Sequence, residues 1–177
     1  MLLAGQPLLA HALRAARSSD VGPVVAVVSE ARVAAVARGA GAEVVRNDAP
    51  EAGIASSLQV ALAALEPRAD VVAAVVGLAD QPLVGATAYR RVAAAYDDGA
   101  RLAVATYGGV RGNPVLVGRD HWSEAMRLAG DEGARVLLRR HGATEVPCDD
   151  TGDPTDVDTP ADLAALEARW RSPTASE

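Results

Sequence analysis

The stretch Val71–Val84, VVAAVVGLADQPLV, constrains the fold more than any other part of the chain. An unbroken apolar run, rich in valine, stops at Gly77-Leu78-Ala79-Asp80-Gln81-Pro82. A run without polar alternation reads as a strand covered on both faces, as in the parallel sheet of an α/β layer. Asp80 then falls just past the carboxyl end of that strand, where open α/β sheets bind their ligands. A carboxylate there can hold a divalent cation and, through it, a phosphate. It can equally cap the turn that Gln81-Pro82 begins.

The remaining pattern alternates strand and helix. Strands are expected at Val24–Val28, Ala42–Arg46, Val71–Val76, Leu102–Tyr107, Pro114–Val117 and Thr144–Cys148. Helices are expected at Pro7–Arg17, Glu30–Arg38, Ser56–Leu65, Thr87–Tyr96, Asp120–Leu128, Ala134–His141 and Pro160–Arg171. Thr159 reads as the cap of the last helix, with Pro160 at its first position. This order predicts a mostly parallel sheet with helices on both faces. The chain opens on a helix, as though a first strand and its loop were missing. Ser172–Glu177 is expected to be a frayed tail, leaving a single domain over residues 1–171.

With 177 residues, half of them apolar, the chain suits one domain with a substantial core and is not a disordered segment. All 17 basic residues are arginines. Without lysine no Schiff base or P-loop lysine is possible, so phosphate charge must be met by arginine, backbone N–H groups or metal. A net charge of −6 and no basic cluster argue against nucleic-acid binding. No apolar run spans a membrane, and the N-terminus lacks the charged start and apolar core of a signal peptide. The lone Cys148 excludes an internal disulfide, fits a reducing cytoplasm, and reads as a small buried residue.

Four loops are expected at one edge of the sheet. Asn47–Ser57 places Gly53, Ser56 and Ser57 before a helix; free N–H groups there suit a phosphate, ribose or base edge, and an ordinary helix cap explains the serines as well. The second loop carries Asp80. In the third, Gly108–Asn113, Arg111 can meet an anion and Asn113 can read a heterocycle edge, or the loop is a glycine-rich hairpin with a solvated arginine. Gly130–Arg135 resembles it, with Asp131 as a plausible cap and Arg135 as phosphate clamp or surface residue. The fourth, Thr151–Thr159, carries Asp156 and Asp158 two residues apart; in an extended segment both point the same way and repel unless a cation lies between them. His11, His121 and His141 read as isolated surface or helix residues, none with metal-ligand spacing to another. No nucleophile elbow is present.

Six segments, in order, resemble the MobA-like nucleotidyltransferases of molybdenum cofactor maturation: Gly5–Leu13, Gly53–Leu62, Gly77–Val84, Arg111–Trp122, Gly130–His141 and Asp156–Leu163. The likeness is strongest to the branch that transfers CMP to molybdopterin, which includes xanthine dehydrogenase accessory proteins. The resemblance implies a Rossmann-like, glycosyltransferase-A-type three-layer fold. It implies magnesium at Asp80 and Asp158, the base and ribose at Gly53, Ser56 and Ser57, and an acceptor facing Arg111, Gly112, Asn113 and Arg135. The implied reaction moves CMP or another NMP from an NTP, CTP first, to a precursor such as molybdopterin, releasing pyrophosphate. Alternatives are a non-catalytic maturation partner of a molybdenum hydroxylase and an oxidoreductase of the nicotine-blue-oxidoreductase-like branch. Family members open with a strand and a loop of the type LAAGxGxRxGxxK; this sequence starts just after its lysine. The expectation is a misassigned or truncated start, and ligand binding with poor turnover in the chain as written.

Overall fold

Valine-rich runs form the strands and alanine-rich amphipathic stretches form the helices between them. The computed structural model describes residues 1–171, so the expected tail lies outside the described residues. Leu2–Leu3 (β1) turns through Ala4 and Gly5, both at positive φ, and pairs antiparallel with Gln6–Pro7 (β2). The chain thus opens on a two-residue hairpin rather than directly on a helix. Leu8–Ser18 (α1), Val25–Val28 (β3), Ala31–Gly39 (α2) and Glu43–Arg46 (β4) follow. A 3-10 turn at Pro50–Ala52 leads into Ile54–Leu65 (α3), then Ala73–Val76 (β5), Leu83–Val84 (β6) and Ala86–Asp97 (α4). Leu102–Tyr107 (β7) and Val110–Gly118 (β8) form a hairpin. A 3-10 turn at Arg119–His121, Trp122–Ala125 (α5), Arg135–His141 (α6), Thr144–Pro147 (β9), Gly152–Asp153 (β10) and Pro160–Arg171 (α7) complete the order.

The main sheet runs β5-β8-β7-β9. β7 is parallel to β9, and β8 lies antiparallel to both β5 and β7, so three strands point one way and one is reversed. β3 and β4 form a separate parallel pair. Among the described residues β3 pairs only with β4 and β5 only with β8, so each has one edge without a strand partner.

Side chains alternate across the main sheet, as a pleated strand requires. Leu102, Val104, Val115 and Val117 face one way, onto α3, α5 and α6. Ala103, Ala105 and Leu116 face the other, onto α4 and the buried Cys148. The result is three layers. Leu58, Leu62 and Leu65 of α3 belong to the first face, and Val25 of β3 packs against the same cluster. α3 therefore ties the separate β3–β4 pair to the main sheet.

One expected helix is much shorter than its pattern. Of Asp120–Leu128 only Trp122–Ala125 is α-helical. The Gln59 side-chain amide of α3 donates to the carbonyls of Met126 and Leu128, at 3.1 and 2.8 Å. Those carbonyls are thereby satisfied without further helix, and Gly130 turns the chain away at φ 58°.

Leu62 is almost wholly buried where α3 meets the sheet. Leu62→Ala is expected to cost about 2–5 kcal/mol, because the α3 layer cannot collapse onto the cavity. Urea unfolding with an unchanged slope and a lowered midpoint is the expected result.

Candidate functional site

Two groups of loops meet at the ends of these strands. The first gathers around Asp80, four residues past the end of β5. Antiparallel pairing of β6 with β10 sets Gly152 opposite Val84 and Asp153 opposite Leu83. The approach is close: a Cβ on Gly152 would lie 2.1 Å from the Leu83 carbonyl oxygen, and its φ is 136°. Only glycine fits there. The pairing lays the following strap along the Asp80 turn, and the Val157 N–H donates to the Asp80 carbonyl at 2.9 Å. Asp156 and Asp158 flank that hydrogen bond, while Val157 is buried against Leu3, Leu8 and Leu166. The strap is held on its far side by a capping box in which Thr159 N–H donates to Asp162 Oδ2 at 2.8 Å and Asp162 N–H to Thr159 Oγ1 at 3.2 Å. Asp153 is a turn residue whose Oδ1 accepts from the Thr155 N–H at 2.9 Å.

Asp80 Oδ1 is buried and has no hydrogen-bond partner. Burial pushes its carboxyl above the ordinary value of 3.8, and repulsion from Asp156 and Asp158 adds to this. Three acidic groups so arranged are short of positive charge, and a buried carboxylate oxygen with open lone pairs fits a hard cation. A backbone hydrogen bond to the Asp80 carboxyl opposes the rise in its pKa, while Oδ1 itself has no partner. Gln81, absent from the expected site, is also buried here; its Nε2 donates to Asp156 Oδ1 at 2.8 Å and to the Pro154 carbonyl at 3.0 Å, leaving Oε1 unpaired.

The third loop joins this group through Gly112, where a Cβ would stand 3.2 Å from the Tyr107 ring and 3.9 Å from Pro154. Asn113 is buried with Nδ2 unpartnered, and its carbonyl accepts from the Tyr107 hydroxyl at 3.0 Å. Arg111 is exposed and pairs with Glu145, Nε to Oε1 at 2.8 Å.

The second group is built on the entry to α3. That helix begins at Ile54, two residues before the expected start, and Gly53 is its N-cap at φ 89°. Neither serine is the cap. Both lie in the first turn, where the Ser56 hydroxyl donates to the Gly53 carbonyl at 2.8 Å. Buried Asn47, which no local pattern singles out, donates from Nδ2 to Ser56 Oγ at 2.8 Å and to Ser57 Oγ at 3.1 Å. The Ala55 N–H reaches the Gly130 carbonyl at 3.0 Å, so the Gly130–Gly133 loop sits on the helix entry. A Cβ on Gly53 would lie 2.3 Å from that same oxygen. Asp131 does not cap α6, whose N-cap is Ala134 without a side-chain hydrogen bond. Arg135 is exposed at the first position of that helix.

His121 and His141 are not isolated, in contrast to the expectation from their spacing. Their rings stand 4.9 Å apart, and Glu124 lies between their chain segments. A cleft of about 480 Å3 between α1 and α2, lined by Arg14, Arg17 and Val36 among others, contains none of the expected site residues.

The layered sheet, its single reversed strand and the carboxylates at the strand ends define a Rossmann-like nucleotidyltransferase fold of the glycosyltransferase-A type. The family model for the MobA-like NTP transferase domain matches residues 1–146, and the chain belongs to that family. Rv0371c from Mycobacterium tuberculosis H37Rv, crystallised with manganese, is 30% identical over 95% of this chain and 89% of that one, with a TM-score of 0.77. Molybdopterin-guanine dinucleotide biosynthesis protein A from Archaeoglobus fulgidus is similar at 16% identity over 97% of this chain and 83% of that one, TM-score 0.68. A 4-diphosphocytidyl-2C-methyl-D-erythritol synthase is similar at 15% identity over 96% and 93%, TM-score 0.73. No curated protein matches the chain. Among the described residues no helix is long and apolar enough to cross a membrane.

Because the Asp80 carboxyl is raised on folding, the native state binds a proton more tightly than the unfolded chain in the window just above 3.8. Native stability therefore falls as pH rises through that window. Asp80→Asn removes this slope. The variant is expected to melt no lower than the parent at neutral pH without metal, the difference vanishing below about pH 3.8. Gly53→Ala combines a positive φ with a collision against backbone and is expected to destabilise by more than about 1 kcal/mol in chemical denaturation.

Proposed function

We propose that the chain transfers CMP from CTP to a phosphorylated cofactor precursor of the molybdopterin type, in the cytoplasm, with Mg2+ held by Asp80 and Asp158. In this reading residues 1–171 act as one domain, and a molybdenum hydroxylase apoenzyme receives the product. The observation that carries it is the buried, unpartnered Asp80 Oδ1 beside the carboxylates of Asp156 and Asp158. Magnesium takes few protein carboxylates and fills its remaining positions with water and substrate phosphate, so Asp80 and Asp158 suffice. When bound, the ion neutralises charge developing on the phosphates.

The chain's own residues bind and orient. Ser56 and Ser57, aligned by Asn47 next to Gly53, offer hydroxyls to the ribose and base edge. Asn113 Nδ2, buried without a partner, supplies a donor for the acceptor's heterocycle. Gly112 leaves room beside it, and Arg111 and Arg135 meet the acceptor's anionic charge, Arg111 by exchanging Glu145 for phosphate. An oxygen of the acceptor phosphate attacks the α-phosphorus; the bond to the bridging oxygen breaks and pyrophosphate leaves. No side-chain nucleophile is required, so the protein's contribution is position and charge.

A second reading, a non-catalytic protein that holds the cofactor, is favoured by the strand edges of β3 and β5, which have no partner among the described residues. Calorimetry distinguishes the readings. CTP with Mg2+ is expected to bind more tightly than ATP or GTP, and Asp80→Asn to weaken it at least tenfold. Preference for GTP overturns the cytidylyl assignment. Tight CTP binding without pyrophosphate release in the presence of acceptor selects the second reading.

A further inference from the structure

Away from the Asp80 group, the structure gathers three metal-ligating side chains that no part of the proposed reaction uses. His121 ends the 3-10 turn before α5, Glu124 lies within α5, and His141 is the last residue of α6. Each offers one ligand atom, and these three atoms lie within 4.8 Å of one another. His141 Nε2 and Glu124 Oε2 are 2.6 Å apart, and the two imidazole rings are tilted at 47° with centroids 4.9 Å apart.

We propose that His121, Glu124 and His141 form a binding site for a borderline divalent ion, Zn2+ foremost, which clasps α5 to α6 and is distinct from the Asp80 centre.

The donor set is the first argument. Two imidazole nitrogens and one carboxylate oxygen suit zinc, cobalt or nickel, whereas magnesium prefers oxygen alone. Three protein ligands with water in the fourth position make a complete tetrahedral shell. Ligand atoms about 2 Å from a tetrahedral ion stand roughly 3.3 Å apart, so side-chain adjustments of about an ångström close the set.

The backbone is the second argument. His121 and Glu124 are three residues apart across a helical turn and share a face. Trp122 and Ala125 beside them, and Leu137 and Leu138 on α6, are buried in one cluster, so both segments are anchored before any ion arrives. The site lies at the rim: His141 and Glu124 retain 41% and 23% exposure, which leaves an entry path.

The surrounding charge is the third. Arg140 approaches Glu124 Oε1 at 3.2 Å, leaving Oε2 toward the histidines, and reaches Glu132 at 3.7 Å. Such a partner on a ligating carboxylate fixes its orientation. Two carboxylates, Glu124 and Glu132, face the single guanidinium of Arg140, a balance that favours a cation. Binding replaces the hydrogen bond between His141 and Glu124.

The test is titration of chelator-treated full-length protein with Zn2+ at pH 7.5 by calorimetry, with Co2+ absorbance reporting a nitrogen-containing tetrahedral shell. One equivalent is expected to bind and to raise the melting temperature. His121→Gln, His141→Gln and Glu124→Gln are each expected to weaken it at least tenfold while melting within a few degrees of the parent without metal. Asp80→Asn and Asp158→Asn are expected to leave that equivalent in place. Undiminished binding in the histidine variants, loss of the equivalent in Asp80→Asn, or loss in Cys148→Ser overturns the proposal. If one substitution prevents folding, the other two still decide it, since each removes a single ligand.

Discussion

The hydrogen bond from the Val157 N–H to the Asp80 carbonyl, with the β6–β10 pairing that precedes it, is the contact on which the site depends. It brings together the turn that follows β5 and a strap more than seventy positions later. Three acidic side chains converge because their backbones are fixed, not because they attract. Their repulsion and the desolvation of Asp80 work against the fold, and backbone pairing, the buried Val157 and the Thr159–Asp162 capping box hold them in place. Stored repulsion of this kind is what a cation relieves on binding.

Glycine sets the geometry at two points. Gly152 lets the strap touch Leu83, and Gly53 lets the Gly130–Gly133 loop touch the entry to α3. At both, a neighbouring carbonyl oxygen occupies the space a side chain would need. The first contact positions carboxylates; the second positions Ser56 and Ser57, which Asn47 then aligns. Loops that carry chemistry are here held by backbone contacts rather than by side-chain packing alone, which keeps side-chain atoms such as Asp80 Oδ1 and Asn113 Nδ2 unspent.

The unpaired edges of β3 and β5 give the fold its other distinctive trait. A parallel pair and a four-stranded sheet lie under one helix, α3, whose leucines pack on the sheet cluster that also receives Val25. Hydrophobic contact through a helix thus does work that strand pairing does elsewhere in the sheet.

The strand runs at Val24–Val28, Leu102–Tyr107 and Thr144–Cys148, and the helix from Pro160 to Arg171, were legible in the sequence within a residue or so, because apolar periodicity and capping are local properties. So was the placement of Asp80 at a strand end. The sequence did not disclose the opening hairpin, the short pairing of β6 with β10, or the early end of the α5 region, because each is decided by a distant partner: Leu3 by Val157 and Leu166, Gly152 by Leu83, Met126 and Leu128 by Gln59. Asn47 and Gln81 were invisible for the same reason, since an amide becomes a site residue only through what it reaches. His121 and His141 make the point most plainly. Twenty positions apart and unremarkable in spacing, they meet because two helices packed on one leucine-rich core end at the same place, and only the tertiary structure fixes where helices end relative to one another.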